Sequence, residues 1–197
     1  MGKTVFFRAF EEEDAQLIHK WKNDDELNVL TVGLNKRTCF DDDLDWVKSH
    51  MRHNPYSSFW AICSKDNNKM IGWTCLTNIH YINSSAEAGA IVIGDTDYRD
   101  GFAWVETYLF LYEYAFERLG LNRVYGESIL GHKTSNFAEE LMFMNREGVL
   151  RQAVFKNGHF FDLSIAAILK DDYFKHKEAG EFKMLSVIKR LRKLRKQ

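Results

Sequence analysis

DTDYRDGFAWVETYLFLYEYAFERLGLNRV, residues 95–124, decides the fold. Its first part is a short polar turn containing Gly101. Its second part is an apolar-rich helical pattern from Phe102 to Leu119, stopped by Gly120. β-Favouring runs flank it, Ala86–Ile93 before and Asn122–Leu130 after. A helix between two strands of one sheet makes those strands parallel. The first turn of such a helix carries unpaired N–H groups and a partial positive charge, which suits it to an anion. Arg99, Asp100 and Gly101 just before it raise the question whether a phosphate binds there or Gly101 only eases a strand-to-helix turn.

Working outward, Thr4–Phe10 alternates as a first strand, and Glu11–Trp21 and Asp41–Met51 read as amphipathic helices. Ser58–Ser64 and Met70–Ile79 are strands joined by the turn Asp66-Asn67-Asn68-Lys69. Beyond the opening stretch, Thr134–Met144 is helical. Val149–Phe155 and His159–Leu169 form a hairpin whose Asn157-Gly158 suits a type I′ turn. Glu181–Leu194 is a last amphipathic helix. The order β-α-α-β-β-β-α-β-α-β-β implies an α+β fold: a mostly antiparallel sheet of about seven strands with a splayed parallel pair at its centre. Residues 1–174 read as one domain and residues 175–197 as a basic amphipathic C-terminal helix.

The bulk properties exclude several classes. Of the 197 residues 45% are apolar and 28% charged, an ordinary globular mixture. The three cysteines, Cys39, Cys63 and Cys75, are odd in number and lack CxxC spacing, which reads as reduced thiols in a cytoplasmic protein. Acidic residues come too early for a signal peptide, and no apolar run approaches the ~18 residues of a membrane span. From Tyr173 onward nine Lys/Arg oppose two acids, a charge of +7, and the remainder has 18 basic and 26 acidic residues, or −8. An acidic body with a basic tail is not the footprint of a nucleic-acid binder. The tail helix reads as docked on the body, docked on a second subunit in a homodimer, or in peripheral contact with an anionic membrane. His50 and His53 lie three apart without further converging ligands, so no metal is expected.

Several local sequences, in this order, carry a family likeness: Met70-Ile71-Gly72, Leu76-Thr77-Asn78-Ile79, Ala86-Glu87-Ala88-Gly89 and Ile93-Gly94-Asp95 with Tyr98. Tyr114-Ala115-Phe116-Glu117, Leu119–Val124, Glu147–Arg151 and Asn157-Gly158 with Asp162 continue it. Together they resemble the GNAT acetyltransferase superfamily over roughly Phe6 to Phe174. The subgroup of ribosomal-protein N-terminal acetyltransferases and bacterial amino-sugar N-acetyltransferases is the most similar. The resemblance implies acetyl-CoA as cosubstrate, its diphosphate held by Arg99, Asp100, Gly101, Phe102 and Ala103. It implies contacts to the thioester and pantetheine from Ile91, Val92 and Ile93, and a further cosubstrate contact at Ser135.

Two departures stand out. The family loop has small residues facing the diphosphate; Gly101 and Ala103 fit if the loop is one residue shorter, whereas an ungapped match places Phe102 and Trp104 there. Glu139 also occupies the place of the Tyr that protonates the departing thiolate, and His132 that of an Asn. For chemistry, Glu87 is the expected base toward the amine and His132 a second catalytic candidate. Glu127 reads either as a cross-strand ion pair or as a second carboxylate of the site. His80 and Tyr81, with Trp21, His53 and Tyr56, are candidates for an acceptor pocket. The acceptor is a small-molecule or peptide amine: an amino sugar nucleotide, or alternatively a protein N-terminus. A member of the fold that binds ligand without catalysis is the remaining alternative.

Overall fold

The computed structural model describes residues 4–29, 31–33, 37–131 and 133–194. Seven strands are hydrogen-bonded in the order β1-β2-β3-β4-β5-β7-β6, with β4 and β5 the parallel pair. The chain divides into two compact units, Gly2–Ile79 with Gly89–Thr107, and His80–Ala88 with Tyr108–Gln197. β4 (Ser85–Ile93) and α4 (Phe102–Tyr112) each pass from one unit to the other.

In the first unit β1 (Val5–Arg8) and β3 (Met70–His80) run antiparallel to β2 (Ser58–Ser64). The near-continuous apolar run of β2 is explained by burial on both faces. Ala61 and Cys63 join Phe10, Ile18, Trp21 and Val47 beneath α1 (Asp14–Lys22) and α3 (Phe40–Met51). Ile62 faces the other way, with Val5, Ile71, Ile93 and Ala103. A short helix α2 (Asp25–Val29) follows α1. Buried Glu106 accepts the Thr4 and Val5 N–H groups and so fixes the start of β1. The expected β2–β3 turn forms, with Asn68 at φ +57°.

In the second unit β5 (Arg123–Ile129) pairs in parallel with β4, Ser85 opposite Arg123 and Glu87 opposite Tyr125. β7 (His159–Leu169) lies antiparallel between β5 and β6 (Asn145–Lys156). Asn157 and Gly158 both have positive φ, as a type I′ turn requires. α4 continues into a π-helical stretch, Glu113–Arg118. α5 (Lys133–Leu141) is followed by β6, which starts four residues before the expected Val149.

The expected single C-terminal helix is two, α6 (Lys170–Glu178) and α7 (Met184–Leu194). Tyr112, Phe116, Tyr173 and Phe182 form one aromatic cluster. Val187, Ile188 and Leu194 of α7 are buried, and Arg190 donates two hydrogen bonds to the Leu141 carbonyl. Much of the apolar stripe is thus spent on packing, although Leu185 stays exposed, and a membrane contact through this helix is left without support. No helix among the described residues is long and apolar enough to cross a membrane.

Candidate active site

Glu87 and Glu127 come together in the second unit. Residues opposite one another in a parallel pair share a face, and so do residues two apart on a strand. Glu87 opposite Tyr125, with Glu127 two positions on, therefore puts both carboxylates and the Tyr125 ring on one face. Partial burial, and then the negative charge of Glu87, push the Glu127 pKa above its ordinary value. On the same strand the Arg123 guanidinium lies 5.0 Å from the centre of the Tyr125 ring and pairs with Glu147. Among the described residues the charge that shifts Glu127 is thus one of its own sign. Which of these residues share a face depends on the β4–β5 register, which no local feature of the sequence sets.

The loop before α4 lies in the first unit. Gly101 has φ +98°, a conformation that favours glycine, and α4 begins at the next residue. Ala103 is buried, and Trp104 packs with Ile91 and Tyr98 against the Val5–Ile62–Ile71–Ile93 cluster. Small Ala103 thus takes the buried position at the start of the helix, and Trp104 is committed to the core cluster. Arg99 donates from Nε to the Ile93 carbonyl and from a terminal nitrogen to the Gly94 carbonyl, which keeps its charge beside the loop. Asp100 Oδ1 accepts the Phe102 N–H at 2.9 Å and so caps α4.

This loop fits a diphosphate. It offers a glycine turn, the first turn of an 11-residue helix and a tethered guanidinium. Asp100 opposes it with one negative charge. A Cβ on Gly72 would lie 2.0 Å from the Val92 carbonyl oxygen, so that carbonyl points at β3. Peptide groups alternate along a strand, so those of Ile91 and Ile93 point away from β3. Ile93 spends its carbonyl on Arg99.

Other expected residues have different surroundings. His132 lies outside the described residues, as does the side chain of Ser135. Glu139 is fixed by Arg146, at 2.8 and 3.0 Å, and by the Ser164 hydroxyl at 3.1 Å. A carboxylate so held is a poor substitute for a phenol that donates a proton. Trp21 belongs to the core, its ring filling the space beside Gly94 where a Cβ would lie. The His80 ring accepts the Asn83 N–H within its own turn. Tyr56 and Tyr81 are exposed. Asp43, in the first turn of α3, is buried and bonded to Thr38, His19 and Lys22.

The acetyltransferase (GNAT) domain family matches residues 4–138. The uncharacterized N-acetyltransferase YoaA of Bacillus subtilis (strain 168) is 25% identical over 168 residues, 84% of this chain and 93% of its own length. Spermidine N(1)-acetyltransferase of Vibrio cholerae serotype O1 is 28% identical over 180 residues, 90% of this chain and 100% of its own. The solved structure of spermidine N-acetyltransferase from Vibrio cholerae with CoA and spermine has a TM-score of 0.79 at 22% identity, covering 88% of this chain and 99% of that one. A dodecameric structure of that enzyme has a TM-score of 0.74 at 22% identity, over 89% and 99%. Relatives named for spermidine thus stand where the sequence pointed to the ribosomal-protein and amino-sugar subgroup. With more than half of its length matched, the chain belongs to the GNAT acetyltransferase family, as an N-acetyltransferase that uses acetyl-CoA as cosubstrate and an amine as acceptor.

Proposed function

We propose that the acceptor is a polyamine, and that the Glu87–Glu127 pair receives it and takes its proton. The observation carrying this reading is the carboxylate pair on one face of β4 and β5, in which partial burial and then the charge of Glu87 raise the basicity of Glu127. Two carboxylates attract a cation bearing several ammonium groups, and a carboxylate of raised pKa is the better base toward one of them. The name of the Vibrio cholerae relative supports the same acceptor class in place of an amino sugar nucleotide.

Acetyl-CoA supplies an activated acetyl thioester whose thiolate leaves readily near neutral pH. Arg99, Gly101, Phe102 and Ala103 hold its diphosphate, and the outward peptide N–H groups of Ile91 and Ile93 hold the thioester end, with Val92 contributing its side chain. Glu127 removes the amine proton, with Glu87 beside it on the same face. No residue at position 139 donates a proton to the thiolate, because Glu139 is spent on Arg146 and Ser164. The dodecameric relative also supports self-association of this chain.

The test is thiol release from acetyl-CoA with spermidine, an N-terminal peptide amine and an amino sugar nucleotide offered separately. Spermidine is expected to give the highest kcat/KM. Preference for the peptide overturns the acceptor class. Acetyl-CoA binding by calorimetry without turnover of any amine overturns catalysis and leaves the binding-only alternative.

A further inference from the structure

Arg123 brings a charge able to disable the acid pair, and the fold holds that charge elsewhere. Alternate residues of β5 share a face, so Arg123 stands with Tyr125 and Glu127 on the face that also carries Glu87. At about 3.3 Å per residue along a strand and about 4.8 Å between strands, the Arg123 and Glu87 backbones lie roughly 8 Å apart. An arginine side chain crosses that distance. Arg123 instead keeps its guanidinium 5.0 Å from the centre of the Tyr125 ring and pairs with Glu147 of β6.

That pairing depends on an irregularity of β6. Arg146 stands opposite Ala166 and Gly148 opposite Ile165, so Glu147 is an extra residue outside the ladder. A bulge of this kind re-aims a side chain. Arg146, just before it, is engaged by Glu139 of α5, so two successive charges of β6 go to different partners. β7 lies between β6 and β5, and opposite Tyr125 it presents Ala167, small enough to leave the path from Glu147 to Arg123 open. The Arg123 and Glu147 side chains are 28% and 44% exposed, and a pair so exposed contributes little to stability.

We propose, resting on the polyamine reading above, that Glu147 is a positioning residue of the acceptor site: it holds Arg123 against Tyr125, so that the guanidinium does not close on Glu87 and the carboxylate pair stays open to a cationic amine. A guanidinium closed on the pair would cancel one of its charges, and a polyamine would have to displace it. With Arg123 held on Glu147 the pair keeps its own attraction for cations. The Glu127 carboxyl accordingly answers to burial and to the charge of Glu87, both of which push its pKa up. Glu147 itself touches no acceptor and acts only through Arg123.

Carbon-13 NMR titration of the Glu127 carboxyl, assigned by its loss in Glu127→Gln, reads the pair without any acceptor. In Glu147→Gln the freed guanidinium should draw the midpoint down by about one pH unit, the lower end of what an arginine beside a carboxylate does. The acid limb of the kcat/KM profile should move down with it. The same interaction corresponds to about tenfold in affinity, so the KM for spermidine should rise about tenfold at unchanged KM for acetyl-CoA. Adding Arg123→Gln to Glu147→Gln removes the freed cation, and midpoint, limb and KM should all return to wild-type values. A role limited to bracing β6 is not repaired by a second loss. Arg123→Gln alone should leave the spermidine KM no higher than wild type. An unmoved midpoint in Glu147→Gln overturns the proposal. So does a double variant no better than Glu147→Gln, or a KM raised as far by Arg123→Gln alone. A wild type that does not acetylate spermidine overturns the polyamine reading instead, and the carboxyl midpoint then still decides where Glu147 holds Arg123.

Discussion

Asp43 and Glu127 are carboxylates set among polar neighbours of their own unit, and those neighbours treat their charge in opposite ways. Asp43 is 1% exposed. Burial pushes its pKa up, but hydrogen bonds from Thr38, His19 and Lys22, with the charge of Lys22, outweigh that and hold it below the ordinary value. Glu127 feels burial and a second carboxylate, and both push its pKa up. A carboxylate ringed by donors is a fixed anion that ties α1 and α3 together. A carboxylate beside its own kind exchanges its proton readily, which is of little use to stability and suited to chemistry. The acids of this chain thus divide by their neighbours, and composition alone cannot sort them.

Removing Asp43 should give the largest effect. Asp43→Ala leaves Lys22 and Thr38 facing a buried space and is expected to cost about 3 kcal/mol, as for one partner lost from a buried ion pair. Urea unfolding measures it, and kcat per folded molecule should be unchanged. A cost below about 1 kcal/mol would make Asp43 a surface acid like its neighbours. Glu127→Gln is the counterpart. A hundredfold fall in kcat/KM, roughly the lower range for loss of a general base, is expected at pH 7, with no loss of stability. Equal kcat/KM in the two proteins would reduce the pair to a binding surface.

The pH dependence sharpens the contrast because the two signs differ. Asp43 has a lowered folded pKa, so its contribution is present above the unfolded value and is lost as pH falls through the folded one. Glu127 has a raised folded pKa, so the unfolded chain releases that proton first, and stability drains as pH rises from the unfolded toward the folded value. Against wild type, Glu127→Gln should therefore gain relative stability with rising pH across that window, while Asp43→Ala should lose it across its own acid window. Parallel curves for the two variants in urea titrations from pH 3 to 7 would erase the distinction.

Legibility in the sequence follows the same division between local and distant causes. β7 is drawn correctly from residues alone, because Asn157-Gly158 fixes the turn and the apolar run starting at His159 has no competing period. α6 escapes because Lys170–Glu178 carries only Tyr173 and Phe174 as large apolar residues and so shows no stripe. Its signal was electrostatic: Asp171 and Asp172 in the first turn, Lys175, His176 and Lys177 in the last, matched to the helix dipole. α4 is apolar all round, so its pattern locates the helix but cannot say where Trp104 points. The partnership of Glu87 with Glu127 depends on the register of two strands some forty residues apart, and the length of a crossover helix does not set that register.

Asp100 stands between the two extremes and offers the smallest and most pointed test. Its carboxylate is exposed, caps α4 through the Phe102 N–H, and lies at the helix end where the cosubstrate diphosphate is proposed to bind. As a cap it stabilises the helix; as an anion it opposes the diphosphate. Asp100→Asn separates these roles, since an amide oxygen still accepts the Phe102 N–H while the charge is gone. The KM for acetyl-CoA should fall about threefold at unchanged kcat, matching a helix-end charge effect of roughly 0.6 kcal/mol. The gain should shrink as salt rises, because exposed charges are screened over about 10 Å at 0.1 M. A KM that does not move at low salt would mean that the diphosphate never senses Asp100. Gly101 would then serve only to turn the chain from β4 into α4.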